Sequence, residues 1–137
     1  MKTRAFLIFC AVGLVPIALG YGAQPSVTLE ALFGIDVDTT NLKHIMRAVM
    51  GLYFGMVVLW LWGAWTRSME RPALAACAVF MLGLAAGRIL SFIVDGLPHW
   101  LLVVYAVLEI VLGLIAVTLL RASAKEINSE QGVDPSA

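Results

Sequence analysis

Charge is scarce in this sequence, and histidine and cysteine are scarcer. Nine basic and nine acidic side chains make up 13% of 137 residues, against about 25% in an ordinary soluble domain. A soluble fold must clothe its surface in polar groups, and too few are present. The charges cancel to a net of zero, which argues against an electrostatic hold on nucleic acid. The histidines, His44 and His99, lie on different segments, and no zinc-type spacing accompanies them. A phosphate-cradling glycine loop and a Ser-His-Asp order are also missing. We therefore expect no metal, no cofactor and no nucleic-acid partner. Cys10 and Cys77 both sit inside apolar runs, where cysteine acts as a small hydrophobe, and both are expected to be free thiols.

What the chain has in abundance is apolar length. Hydrophobic residues make up 61% and mean hydropathy is +0.94. Four apolar runs, at about 5–22, 44–65, 72–94 and 98–120, approach the ~20 residues that a helix needs to cross the hydrocarbon of a bilayer. The expected fold is all-α: an integral membrane four-helix bundle of antiparallel, up-down spans over 1–121. A polar, disordered cytoplasmic tail is expected over 122–137, and the lipid bilayer is the first expected partner.

The first run follows Lys2 and Arg4 and has some features of a signal peptide. It is long for that purpose, Pro16 interrupts it, and bulky Tyr21 spoils the small-residue cleavage pattern. It is expected to stay as a helix. Segment 24–43 is different in kind, with Pro25, Glu30, Asp36 and Asp38. Its apolar part, 27–35, suits a short element lying at the interface. Asn41 or a preceding threonine is expected to cap the second span. Pro72 suits a first helical turn after a short basic loop, 66–71. Asp95-Gly96-Leu97-Pro98 reads as a tight turn that makes spans three and four a hairpin.

Lys and Arg favour the cytoplasmic side of short loops. They occur at Lys2 and Arg4, at Arg67 and Arg71, and at Arg121 and Lys125; the first loop has Lys43 beside Glu30, Asp36 and Asp38, and the third has none. Both termini are therefore expected on the cytoplasmic side, with the first and third loops outside. Trp60, Trp62 and Trp65 at one end and Trp100 at the other read as aromatic belts.

Against this apolar background a few ionisable residues stand out. Each costs ~2.5 to 3.5 kcal/mol on insertion scales, so each must find a partner or water. Arg88, Ser91 and Asp95 share one stripe of the third span, and His44 and Arg47 one stripe of the second, with Gly51 and Gly55. Tyr105 and Glu109 are four apart on the fourth span, and Tyr53 accompanies the second. At 1.5 Å per residue, Arg88 lies about 10 Å from the turn and Glu109 about 16 Å, a gap that an arginine side chain covers. An Arg88–Glu109 ion pair is expected, with Tyr105 close by. A second layer, of His44, Arg47 and Asp95, is expected nearer the surface. Gly51-x-x-x-Gly55 and Gly83-x-x-x-Gly87 read as helix-packing motifs.

The segment Asn41-Leu42-Lys43-His44-Ile45-Met46-Arg47-Ala48-Val49-Met50-Gly51-Leu52-Tyr53 resembles part of a bacterial membrane family, the domain of unknown function 4345. So do Gly87-Arg88-Ile89-Leu90-Ser91, Asp95-Gly96-Leu97-Pro98, Tyr105 and Glu109. The resemblance runs from the first span to the fourth. It implies a small four-helix inner-membrane protein and lends weight to Arg47, Tyr53, Arg88, Ser91, Asp95 and Glu109 as a set, without supplying a substrate.

Three readings of function stay open. The leading one is a protein that binds or moves a small amphipathic or hydrophobic ligand, such as a lipid, in a polar pocket near the outer leaflet. His44, Arg47, Tyr53, Arg88, Ser91, Asp95, Tyr105 and Glu109 are then the candidate ligand-binding residues. The second is a membrane enzyme of isomerase type, with Glu109 or Asp95 in acid/base work beside His44. The third is a packing subunit of a homo-oligomer or larger membrane complex.

Overall fold

The computed structural model describes the backbone of residues 2–130 and the side chains of residues 2–124. Among the described residues the fold is all-α, with five helices: α1 (Lys2–Gly22), α2 (Pro25–Phe33), α3 (Thr40–Trp65), α4 (Arg67–Val94) and α5 (Trp100–Glu130). Four of them, all but α2, are long and apolar enough to cross a membrane. Their exposed faces carry large apolar side chains, among them Phe9, Leu52, Val79, Ile93 and Val107. Such a surface is stable against lipid tails and costly against water. The four expected runs coincide with these helices. Helix α5 continues past Arg121 to Glu130, into the region expected as tail, and 131–137 lie outside the described residues.

The long helices follow one another round the bundle. Helix α1 packs on α3, α3 on α4 and α4 on α5. The circuit does not close, because α5 and α1 barely meet. The interior is built mainly from small residues and a few large ones. Helix α1 contributes Leu7, Cys10, Ala11, Leu14 and Ala18, α3 contributes Tyr53, Val57 and Trp60, and α4 contributes Ala73, Leu74, Cys77 and Met81. Cys10 and Cys77 are both buried and free, as expected.

Local chemistry places the helix ends. The Thr39 hydroxyl accepts a hydrogen bond from the Leu42 N–H at 3.3 Å and caps α3, so the cap is a threonine before Asn41. Helix α2 has Pro25 in its first turn and ends at Gly34 in the left-handed region (φ 67°). The Gly34 N–H bonds to the Glu30 carbonyl at 2.8 Å and the Ile35 N–H to that of Leu29 at 3.2 Å, a Schellman closure. The Thr28 hydroxyl donates back to the Gly20 carbonyl, which ties α2 against the end of α1. The 27–35 element is therefore a helix rather than a strand.

Two expected turns take other forms. The basic loop shrinks to one residue, Thr66, because α4 begins at Arg67. Pro72 then falls in the sixth position of α4 rather than in its first turn, and it removes the backbone bond to Ser68. The second turn keeps Gly96 in a left-handed conformation (φ 93°), but α5 starts at Trp100, two residues past Pro98.

Trp60 is a further correction. It is fully buried in the core, edge-on to Phe80 at 5.7 Å, and not part of a belt. Trp62 and Trp65 are exposed. The Arg4 guanidinium lies over the Trp65 ring at 5.6 Å, which puts the start of α1 and the end of α3 at one end of the bundle.

The glycine pairs behave differently from their expected packing role. A Cβ placed on Gly51, Gly55, Gly83 or Gly87 would meet nothing within 4 Å among the described residues. Close approaches occur elsewhere, at Gly22 against Met50, at Gly113 against Leu82 and at Gly63, where an added Cβ would collide with Ala73 Cβ and come within 2.9 Å of the Met69 carbonyl oxygen. Gly63→Ala should therefore lower stability by ~1 to 3 kcal/mol through overpacking. Gly51→Ala should be neutral or stabilising. Thermal unfolding of the two variants in the same detergent distinguishes them, and equal melting temperatures would show that α3 and α4 do not touch at Gly63.

Candidate functional site

Arg88 and Glu109 meet as expected. The Arg88 Nε–H donates to both carboxylate oxygens of Glu109, at 3.0 Å to Oε1 and 2.8 Å to Oε2. It is the one ion pair among the described residues. Helix α4 presents Arg88 in its last third, the Asp95 turn reverses the chain, and α5 brings Glu109 back to the same level. Glu109 is the one buried charged residue among the described residues, at 8% exposure. An unpaired carboxylate at such a place would be strongly penalised, and the arginine offsets that penalty.

Tyrosines surround the pair. The Tyr105 ring lies under the guanidinium, 5.7 Å from Cζ, a cation–π arrangement. Tyr21, from the end of α1, sits beside Arg88. It packs edge-on against Tyr53 at 5.8 Å and stacks on Phe33 at 6.3 Å. Tyr53 is buried and turns its other edge to Phe80 at 5.3 Å. Phe33, from α2, completes the ring of aromatics against Tyr105 at 6.4 Å and His99 at 6.2 Å.

A cavity of about 150 Å³ opens beside the ion pair. Helix α1 lines it with Phe9, Gly13 and Ile17, and α5 with Tyr105, Leu108 and Glu109. Tyr53, Met81 and Arg88, from α3 and α4, line it as well. The wall is almost wholly apolar, with the Arg88–Glu109 pair as its polar feature. Phe9, Gly13 and Leu108 on its rim are exposed, so the cavity opens sideways between α1 and α5, where the circuit of helices is not closed. A second cavity of about 270 Å³ lies toward α2, lined by Gly20, Tyr21, Leu32, Phe33, Ile17 and Tyr105. Ile17 and Tyr105 line both, so the two cavities adjoin at these side chains.

Of the residues singled out in the sequence, Arg88, Glu109, Tyr105 and Tyr53 come together here. Four do not. His44 and Arg47 are exposed on α3 and form no layer with Asp95. Asp95 is also exposed and accepts a hydrogen bond from Ser91, one turn back, at 2.7 Å. The reason is angular. Tyr53 faces inward on α3, and the His44–Arg47 stripe, carried on through Gly51 and Gly55, follows the opposite side of the same helix. No cluster of metal-ligating side chains occurs among the described residues. Tyr21, Phe33 and the α1 lining residues went unnoticed in the sequence. Tyr21 carried a usable signal, as a polar aromatic closing an apolar run, but the contact of α1 with the Arg88 region has no signature in a single sequence.

No curated protein and no solved structure matches the chain. A family model described as a domain of unknown function, DUF4345, matches residues 2–120, from the start of α1 to near the end of the described side chains on α5. The chain thus belongs to the DUF4345 family, and the match takes in both helices that flank the cavity and both members of the ion pair.

Proposed function

We propose that the protein is a multi-pass protein of the bacterial inner membrane, with both termini cytoplasmic, that binds or moves a small amphiphile in the cavity between α1 and α5. The observation that carries this reading is a single charged pair set into the wall of an otherwise apolar cavity whose mouth faces sideways. A soluble metabolite would enter from an end of the bundle. A lipid-like molecule enters through the side, with its tail among the acyl chains and its head at the polar spot. An intramembrane ion pair is costly enough to call for a role, and a concave apolar site with one convergent polar group suits orientation of such a ligand. Arg88, Glu109, Tyr105 and Tyr53 are the binding residues in this reading, with Tyr21 added. His44, Arg47, Ser91 and Asp95 lie outside the cavity.

Lipid co-purification tests it. Mild-detergent preparations of the wild type should carry a bound amphiphile that mass spectrometry of the extract detects. His44→Ala and Arg47→Ala should carry as much, and the double variant Arg88→Met/Glu109→Leu should carry several-fold less. Equal loading of all four would show that the ion pair does not hold the ligand. Orientation is checked separately. With Cys10 and Cys77 replaced by alanine, a single cysteine at Leu97 should react with an impermeant maleimide added to the periplasmic side. Protection there, with labelling only after lysis, would invert the topology.

The packing-subunit reading has an observation of its own. Gly51, Gly55, Gly83 and Gly87 are bare on the outer faces of α3 and α4, where another helix would fit closely. The acid/base reading is less well supported. Both oxygens of Glu109 are held by Arg88, and no histidine lines the cavity.

A further inference from the structure

The ion pair leaves the cavity electrically balanced. Arg88 and Glu109 are the only formally charged residues among those that line either cavity. Contact runs through Nε alone, so Nη1 and Nη2 make no hydrogen bond to Glu109. They form the part of the guanidinium that Glu109 does not take up, and Tyr21 is its neighbour on that residue. An arginine standing alone in such a wall would attract carboxylates and phosphates, which match the guanidinium fork. With Glu109 bound to it, the guanidinium donates hydrogen bonds without offering net positive charge.

On that basis, and resting on the ligand-binding reading above, we infer that the site selects an uncharged amphiphile. Its head presents carbonyl or hydroxyl oxygens to the Arg88 Nη groups, and Glu109 is the residue that excludes anions. An anion entering the cavity loses its water and meets a carboxylate within the same pair, so its desolvation goes uncompensated. A neutral carbonyl oxygen loses far less than an anion on leaving water, and it regains a charge-assisted hydrogen bond. The surrounding rings of Tyr21, Tyr53 and Tyr105 suit this chemistry. They supply apolar faces and hydroxyl groups, and no second cation. A cationic head is disfavoured by the same logic, because Arg88 is part of the wall.

Matched probes with one tail length decide it. Wild-type protein in zwitterionic nanodiscs is titrated with monodecanoylglycerol, decanoate at pH 8 and decyltrimethylammonium, with empty nanodiscs subtracted. Monodecanoylglycerol should bind at least about tenfold more tightly than either ion, a difference of about 1.4 kcal/mol. Decanoate binding as tightly as the glyceride, or more so, would overturn the inference while leaving a ligand pocket standing. Failure of all three probes to bind would overturn the pocket itself. Glu109→Gln should shift the preference toward decanoate by about tenfold or more, because Arg88 then carries its charge uncompensated. A folded Glu109→Gln protein with the wild-type preference would remove Glu109 from the selectivity. If that variant does not fold, the wild-type comparison still decides between charged and uncharged ligands.

Discussion

Gly13→Leu is expected to eliminate ligand capture while leaving the bundle as stable as the wild type or more so. Gly13 lines the cavity on α1, and an added Cβ meets nothing within 4 Å. A leucine there projects into a space of about 150 Å³ and occupies a substantial part of it. Neither member of the ion pair is touched. The helix itself gains, since glycine in a helix interior costs ~0.8 to 1 kcal/mol relative to the best helix formers. Loss of function with gain of stability is the expected signature of filling a cavity kept open for binding, since functional sites commonly hold arrangements that stability alone would not select. Thermal unfolding should give an equal or higher melting temperature, and co-purified lipid should fall at least about tenfold, equivalent to ~1.4 kcal/mol or more. A Gly13→Leu protein that keeps its lipid would place the binding site away from the α1–α5 opening.

The second large effect is a non-additive one. Glu109→Leu leaves a guanidinium in an apolar wall, and Arg88→Met leaves a buried carboxylate. Each should cost ~3 to 5 kcal/mol, the usual penalty for breaking a buried pair from one side. The double change removes both charges together. It should recover most of that loss, to within ~1 kcal/mol of the wild type, since well-packed apolar residues replace buried ion pairs at little cost. The double-mutant cycle should therefore show a coupling energy of several kcal/mol. Single-variant losses that simply add would mean that the two groups are solvated independently, and the cavity would then be wet rather than apolar. The double variant also separates stability from function. A folded protein without the pair and without lipid assigns the head-group contact to Arg88 and Glu109, whereas one that keeps its lipid reduces the pair to a register device.

The two predictions draw on different parts of the chain, and these were unequally legible. The ion pair could be read in advance because it depends on three simple quantities. Helical rise sets the depth of Arg88 and of Glu109 below the turn, the Asp95-Gly96-Leu97-Pro98 segment reverses direction, and an unpaired charge at that depth is too costly to persist. Each of these acts within one hairpin, α4–α5. Gly13 could not be read at all. Its importance depends on α1 standing apart from α5, which follows from how four helices distribute small and large residues among three interfaces.

The misreadings share that cause. His44 and Arg47 have the right depth for a polar layer but the wrong side of α3, since Tyr53, Val57 and Trp60 claim the inward face. Trp60 has the right position for a belt, yet it is fully buried against Phe80, in a core that includes the small residues Ala11, Ala73 and Cys77. The two exposed glycine pairs have the right spacing for close packing, but tight contacts formed elsewhere, as at Gly63 opposite Ala73.

The amino-acid sequence by itself determined the all-α character, the four long apolar helices, the turn between the last two and the pairing of Arg88 with Glu109. Hydrophobic length, helix periodicity and the penalty for isolated charge are properties of single segments or of adjacent ones. Tertiary structure alone decided which face of each helix turned inward, that α1 and α5 stay apart, and that Tyr21 and Phe33 join the site. Those outcomes come from side-chain volumes meeting across interfaces between segments far apart in the chain, where a difference of one methyl group at Ala73 or Gly63 sets how closely two helices approach.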